Sequence, residues 1–175
     1  MKRILLLVVG ILLALVVTAP MVAAQSDNGG APENIDGRSF DIPAKDPTAP
    51  PTDPASIGCS FPLHVEVTGK EKLIELPDGG FILTAPGQKA TVTNVETGEE
   101  VTFNITGTTR ASAPDENGIV DYVIRGRNLA GDPAGIFLNI GRFTYSLDQS
   151  DPDNIEIVKP QEGKGQAIDI CALLS

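Results

Sequence analysis

From Cys59 onward, large apolar residues recur at every second position, and Pro or Gly interrupts them about every ten residues. Phe61, Leu63, Val65 and Val67 alternate with Pro62, His64, Glu66 and Thr68. Successive strand side chains point to opposite faces, so this spacing predicts a strand with one buried face. Residues 73–76 and 81–84 flank Pro77-Asp78-Gly79-Gly80, where Pro fixes φ and Gly accepts positive φ, as a turn requires. Residues 90–95 and the set Val101, Phe103 and Ile105 flank Glu96-Thr97-Gly98-Glu99 as a second hairpin. Residues 119–124 predict another strand, and 155–158 and 168–174 close the series. No stretch from 58 to 175 carries a capped helical stripe. The expected fold is all-β, an antiparallel β-sandwich or flattened barrel of Ig-like, Greek-key type over residues 58–175.

Residues 136–147 change face part-way. Ile136, Leu138 and Ile140 occupy even positions, whereas Phe143, Tyr145 and Leu147 occupy odd ones. The switch at Gly141 predicts a β-bulge, which adds one residue and which Gly tolerates. The alternative is a strand with both faces buried up to Gly141.

The chain opens with a different pattern. Met1-Lys2-Arg3 is basic, residues 4–17 are apolar except for Gly10, and Val22-Ala23-Ala24 offers small residues after Pro20. This is the layout of a secretory signal peptide, residues 1–24, cleaved after Ala24. Retention as an uncleaved anchor is the alternative, since a span needs about 20 apolar residues. The expected location is therefore secreted, outside the cell. Residues 25–57 contain six Pro and six acidic residues, with only Ile35, Phe40, Ile42 and Ile57 large and apolar. Such a composition offers little surface to bury, which predicts a disordered, Pro- and Asp-rich spacer. It would serve as a stalk, as a Pro-rich ligand or as an inert tether.

Charge narrows the partners. Residues 25–175 hold 11 basic and 23 acidic side chains, net −12 with His neutral. A protein so acidic does not displace counterions from nucleic acid, and an anionic membrane surface repels it. The expected partner is an extracellular ligand or protein, with no nucleic acid and no membrane after signal cleavage.

Cys59 and Cys171 are the two cysteines. In an exported protein they are expected to pair, fastening the first strand of the domain to its last. That requires Cα atoms within about 7 Å. Cys171 shares parity with Asp169 rather than with Ile168 and Ile170, so the last strand must bend there or the bridge must lie at the rim. There is no CxxC and no base beside either thiol to suggest redox chemistry.

Catalytic patterns are scarce. His64 is the one histidine, and the alternation places it on the outer face of the first strand without a partner. One His and two oxidised Cys do not furnish a zinc site. No Walker loop, GxSxG or dinucleotide glycine pattern is present. Asn104-Ile105-Thr106 matches a glycosylation sequon inside an expected strand. Asp148, Asp151 and Asp153 place carboxylates in one loop, which suggests weak calcium binding, although Asp, Asn and Ser are also turn residues. Asp115-Glu116-Asn117-Gly118 is a second such turn. Arg125, Arg127 and Arg142 are expected on one outer surface; pairing with nearby acids is the simpler account and binding of an anionic group the other.

Several stretches carry a resemblance. Residues 59–70, Pro77-Asp78-Gly79-Gly80, residues 93–98, Gly126-Arg127-Asn128-Leu129 and Ile168-Asp169-Ile170-Cys171-Ala172 are similar to uncharacterised secreted proteins of actinobacteria. The likeness spans the domain and implies export from a Gram-positive cell; it implies no activity, cofactor or site residue.

The expectation is a non-enzymatic binding or structural module outside the cell, with no catalytic residue, cofactor or metal assigned. The alternatives are the calcium module of residues 148–154 and a small secreted hydrolase built around His64 or two carboxylates.

Overall fold

The computed structural model describes residues 30–50, 53–132, 134–152 and 155–175. The expected signal peptide and its cleavage site after Ala24 lie outside the described residues, as does Asp153. Two antiparallel sheets form the body, and neither closes into a barrel. Eleven strands are described: β1 Glu33–Asn34, β2 Arg38–Ile42, β3 Leu63–Thr68, β4 Lys70–Glu75, β5 Phe81–Thr84, β6 Lys89–Asn94, β7 Glu100–Asn104, β8 Gly107–Ala111, β9 Ile119–Asp132, β10 Gly135–Asp148 and β11 Glu156–Asp169. The larger sheet runs β1-β4-β5-β8-β9-β10-β11 and the smaller β2-β3-β6-β7.

The period-two stretches became strands for the expected reason. In β3, Leu63, Val65 and Val67 are buried while the residues between them are not. They meet Ala90 and Val92 of β6 on one side, and Leu129, Ile136 and Leu138 of the larger sheet on the other. Both hairpins close where turn chemistry placed them. The Leu76 amide donates to the Gly80 carbonyl, and the Asn94 amide donates to that of Glu99.

The segment 25–57 is not the expected disordered spacer over its described part. Residues 38–42 form β2 and pair in register with β3, Phe40 opposite Val65 and Ile42 opposite Leu63. Composition averaged over 33 residues concealed the placement of four apolar side chains. Ile35, Ile42 and Ile57 are buried in the main core and Phe40 packs against it. Ile42→Val is therefore expected to cost about 1 kcal/mol in urea denaturation. A residue in a disordered tether would cost nothing.

Two further expectations are corrected at the C-terminal end. Residues 156–169 form one continuous edge strand, where alternation was visible only at its two ends. Its outward Glu156, Lys159, Pro160 and Glu162 suit an edge, because charges and Pro discourage pairing with another chain. The chain then leaves the sheet as α1, Ile170–Leu173, which Asp169 caps by accepting from the Ala172 amide. Ile170 and Leu174 are buried at a helical spacing of four.

No bulge occurs at Gly141. The β9–β10 and β10–β11 registers run unbroken through it, and the shifts fall instead around Ser146. The sheet folds over. Gly107, Gly126, Gly141 and Gly165 are successive cross-strand partners, a glycine row through four strands. Asn139 pairs with Ala167 yet donates at 2.9 Å to Gln161, six residues earlier in β11. A flat strand would separate those positions by about 20 Å. Ile124 and Ala130 of one strand likewise share a buried cluster with Phe143. The odd-numbered face of β10 is thus the inside of the fold. Before the row both faces are buried, at Leu138 and at Asn139, as the alternative expected; beyond it the large buried apolar residues, Phe143 and Leu147, lie on the odd face. The pleat stays in phase; what covers it changes.

Candidate functional site

Cys59 lies in the loop before β3 and Cys171 in α1, and they form a disulfide with Cα atoms 5.3 Å apart. The bridge joins a loop to a helical turn, not strand to strand. Helical geometry removes the parity conflict, because alternation ends at Asp169. Cys59 is 1% exposed, inside the core that α1 closes.

His64 does have a partner, contrary to the expectation from its position in the sequence. Asp41 of β2 lies directly opposite, and its Oδ1 is 2.7 Å from His64 Nδ1. Glu66 Oε1 is 3.8 Å from Nε2. Assigning Asp41 to a spacer hid this pair. A carboxylate on one imidazole nitrogen is half of a base-activating arrangement. The other nitrogen, however, faces a second carboxylate rather than a nucleophile, on the outer face of a sheet. Neither groove described below includes His64.

The two acidic turns lie side by side, with the Gln149 amide donating to the Gly118 carbonyl. Asp115 Oδ1 accepts from the amides of Asn117 and Ile119, and Asp148 Oδ1 from that of Ser150. These are self-capped turns. Hydrogen bonds hold both carboxyls below their ordinary value of 3.8, those from Ile119 and Asn117 for Asp115, and those from Ser150 for Asp148. Asp36 and Asp46 are lowered in the same way by Gly69 and Thr48. Among the described residues no three potential ligands converge on a metal position. Because these folded carboxyls titrate below their unfolded values, their stabilisation is complete above about pH 4 and is lost as pH falls further. The melting temperature is expected to be flat from neutral pH to about 5 and to drop below about 4. Asp115→Asn, which keeps the acceptor but not the charge, should flatten part of that drop.

Inside the fold, Tyr122 and Tyr145 stack with centroids 4.8 Å apart. Gln149 Nε2 donates to the Tyr122 hydroxyl, and burial pushes that phenol up to about 12. Burial raises Tyr145 as well. Both remain protonated and structural.

The arginines are where the sequence and the structure part most usefully. Arg125 and Arg142 are direct cross-strand partners, and Lys164 is the next partner along. Arg127 lies on the same face of β9, and all four are exposed. The expected pairing with acids is not found. Among the described residues none of the three arginines is in an ion pair; Arg38–Glu71 and Lys159–Glu162 are formed elsewhere. Beside this row lies an open, shallow groove of about 380 Å³ lined by Thr84, Thr106, Thr108, Arg125 and glycine backbone. A second, narrower cavity of about 100 Å³ lies near Ile35, Phe40 and Leu129, with Arg38 and Glu71 among its lining. It is smaller than the few hundred Å³ that a small-molecule ligand fills.

No family model matches the chain, and neither a curated protein nor a solved structure does.

Proposed function

We propose that this protein is a non-enzymatic binding or structural module that works outside the cell. The observation that carries this is the Cys59–Cys171 disulfide, which clasps the last helical turn to the start of the β-sandwich. Disulfides persist in oxidising compartments, and the basic and apolar residues 1–24 supply the matching export layout. The likeness to secreted actinobacterial proteins points the same way. The two sheets present broad faces among the described residues, which suits binding across a surface. The His64–Asp41 pair stands on such a face.

Expression of the full chain in a Gram-positive host, followed by fractionation and mass spectrometry, tests the location. The expected product in the medium begins at Gln25 and carries no free thiol. Retention in the cytoplasm with two reduced cysteines would overturn the proposal. For the non-enzymatic part, the decisive result is a panel of esterase, glycosidase and peptidase substrates. Turnover that disappears in His64→Ala would replace this reading with a hydrolase.

A further inference from the structure

One rung of the larger sheet contains only cations and hydroxyls. Following cross-strand partners from β4 to β11, it reads Lys72, Thr84, Thr108, Arg125, Arg142, Lys164. Directly opposed residues share a face, so all six side chains leave the same side of the sheet. This is the outer side of the fold at the glycine row. Lys72 is engaged by the Gly30 carbonyl. Arg125, Arg142 and Lys164 make no ion pair among the described residues, and Glu162, on the same face of β11, is held by Lys159 at 2.7 Å.

Like charges directly opposite destabilise a sheet. Here three stand in succession in a chain whose net charge is −10, so acids to neutralise them were not scarce. An external anion would supply the missing charge. Neighbouring strands lie about 4.8 Å apart, so the three cations form a line of about 10 Å rather than a converging cluster. Thr108 extends the line with a hydroxyl donor, and both it and Thr84, whose hydroxyl donates to the Lys72 carbonyl, form part of the open groove beside Arg125. Strands β5 and β8 to β10 are paired on both sides, so a partner meets side chains there; of the three cations only Lys164 stands on the edge strand β11.

We propose that this rung binds a linear, phosphate-bearing polyanion. Guanidinium forks match oxyanions in a bidentate manner. A linear phosphate chain carries its anionic oxygens on the backbone itself and can meet Arg125, Arg142 and Lys164 in turn, whereas the carboxylates of an acidic peptide stand on separate flexible side chains that must each be ordered, which favours phosphate over polycarboxylate. The acidic remainder of the body repels a polyanion at long range, so binding is a short-range contact that salt weakens through the three cations. This inference rests on the binding-module reading and names its ligand class.

The test is fluorescence anisotropy with labelled linear inorganic polyphosphate at about 50 and 200 mM salt. The Arg125→Gln/Arg142→Gln double variant is expected to bind about tenfold more weakly or worse, and Lys164→Gln to fall between it and the parent. The charge-matched control Lys45→Gln/Lys89→Gln should change affinity less than about twofold. Each cation removed should lower the salt slope. Melting temperatures of the rung variants should not fall, because a like-charge pair has been relieved. Absence of binding at the lower salt, equal loss in the control, or tighter binding of polyglutamate would overturn the inference. So would orthophosphate competing equally at matched phosphate concentration, since that describes a single-ion site. Export and oxidised cysteines would stand in any of those cases, so failure here is distinguishable from failure of the module reading.

Discussion

Cys59→Ala/Cys171→Ala is expected to lower stability by about 4–5 kcal/mol. The bridge spans 112 residues of sequence, so removing it returns a large loop entropy to the unfolded chain. Its effect on the folded body is smaller. Asp169 still caps α1, and Ile170 and Leu174 remain buried. The Asn94 side chain also still donates to the Leu174 carbonyl at 2.9 Å. The folded double variant should therefore keep its circular dichroism while its urea midpoint moves far down. Its m-value should rise, because an uncrosslinked chain exposes more surface on unfolding. Reduction of the parent protein should reproduce the same midpoint. An unchanged midpoint would mean that the clasp contributes nothing and that the terminal packing alone holds the ends.

Gly141→Ala is expected to cost about 3–5 kcal/mol, combining backbone strain with overpacking against rigid backbone. Gly141 has φ +146°, and a Cβ there would lie 2.3 Å from the Lys164 carbonyl oxygen and 2.8 Å from Gly165 Cα. Neither neighbour is a flexible side-chain end. The strand would have to part from β11 at the place where the sheet folds. The contrast is Gly98→Ala, at φ +75° with nothing within 4 Å, where only the left-handed conformation costs and the loss should be about 1 kcal/mol. Thermal melts of the two variants make the comparison. Equal losses would show that the glycine row is a conformational convenience and not a steric hinge.

Legibility was uneven, and the reasons are local. Residues 63–68 and the two hairpins were readable because one face of each strand is buried and the turns carry their own chemistry. The cysteine pairing was readable from chemistry, but not the elements it joins. β11 was missed over its middle because an edge strand exposed on both faces has no reason to alternate. β2 was missed because five residues among many prolines leave little signal, and with it went the Asp41 partner of His64. The cation rung was half visible. Parity put Arg125 and Arg127 on one face of β9, but Arg142, Thr84, Thr108 and Lys164 joined them only through register.

Alternation, turn residues and the two thiols sufficed to determine strands, hairpins and a covalent closure, because each depends on neighbours within a few positions or on redox chemistry. The tertiary structure alone decided that residues 38–42 belong to the smaller sheet, that the larger sheet folds at a row of four glycines, and that three cations stand in line. Those outcomes depend on which distant strand lies alongside, and a pleat of period two fixes the side a residue faces but not the residue opposite it.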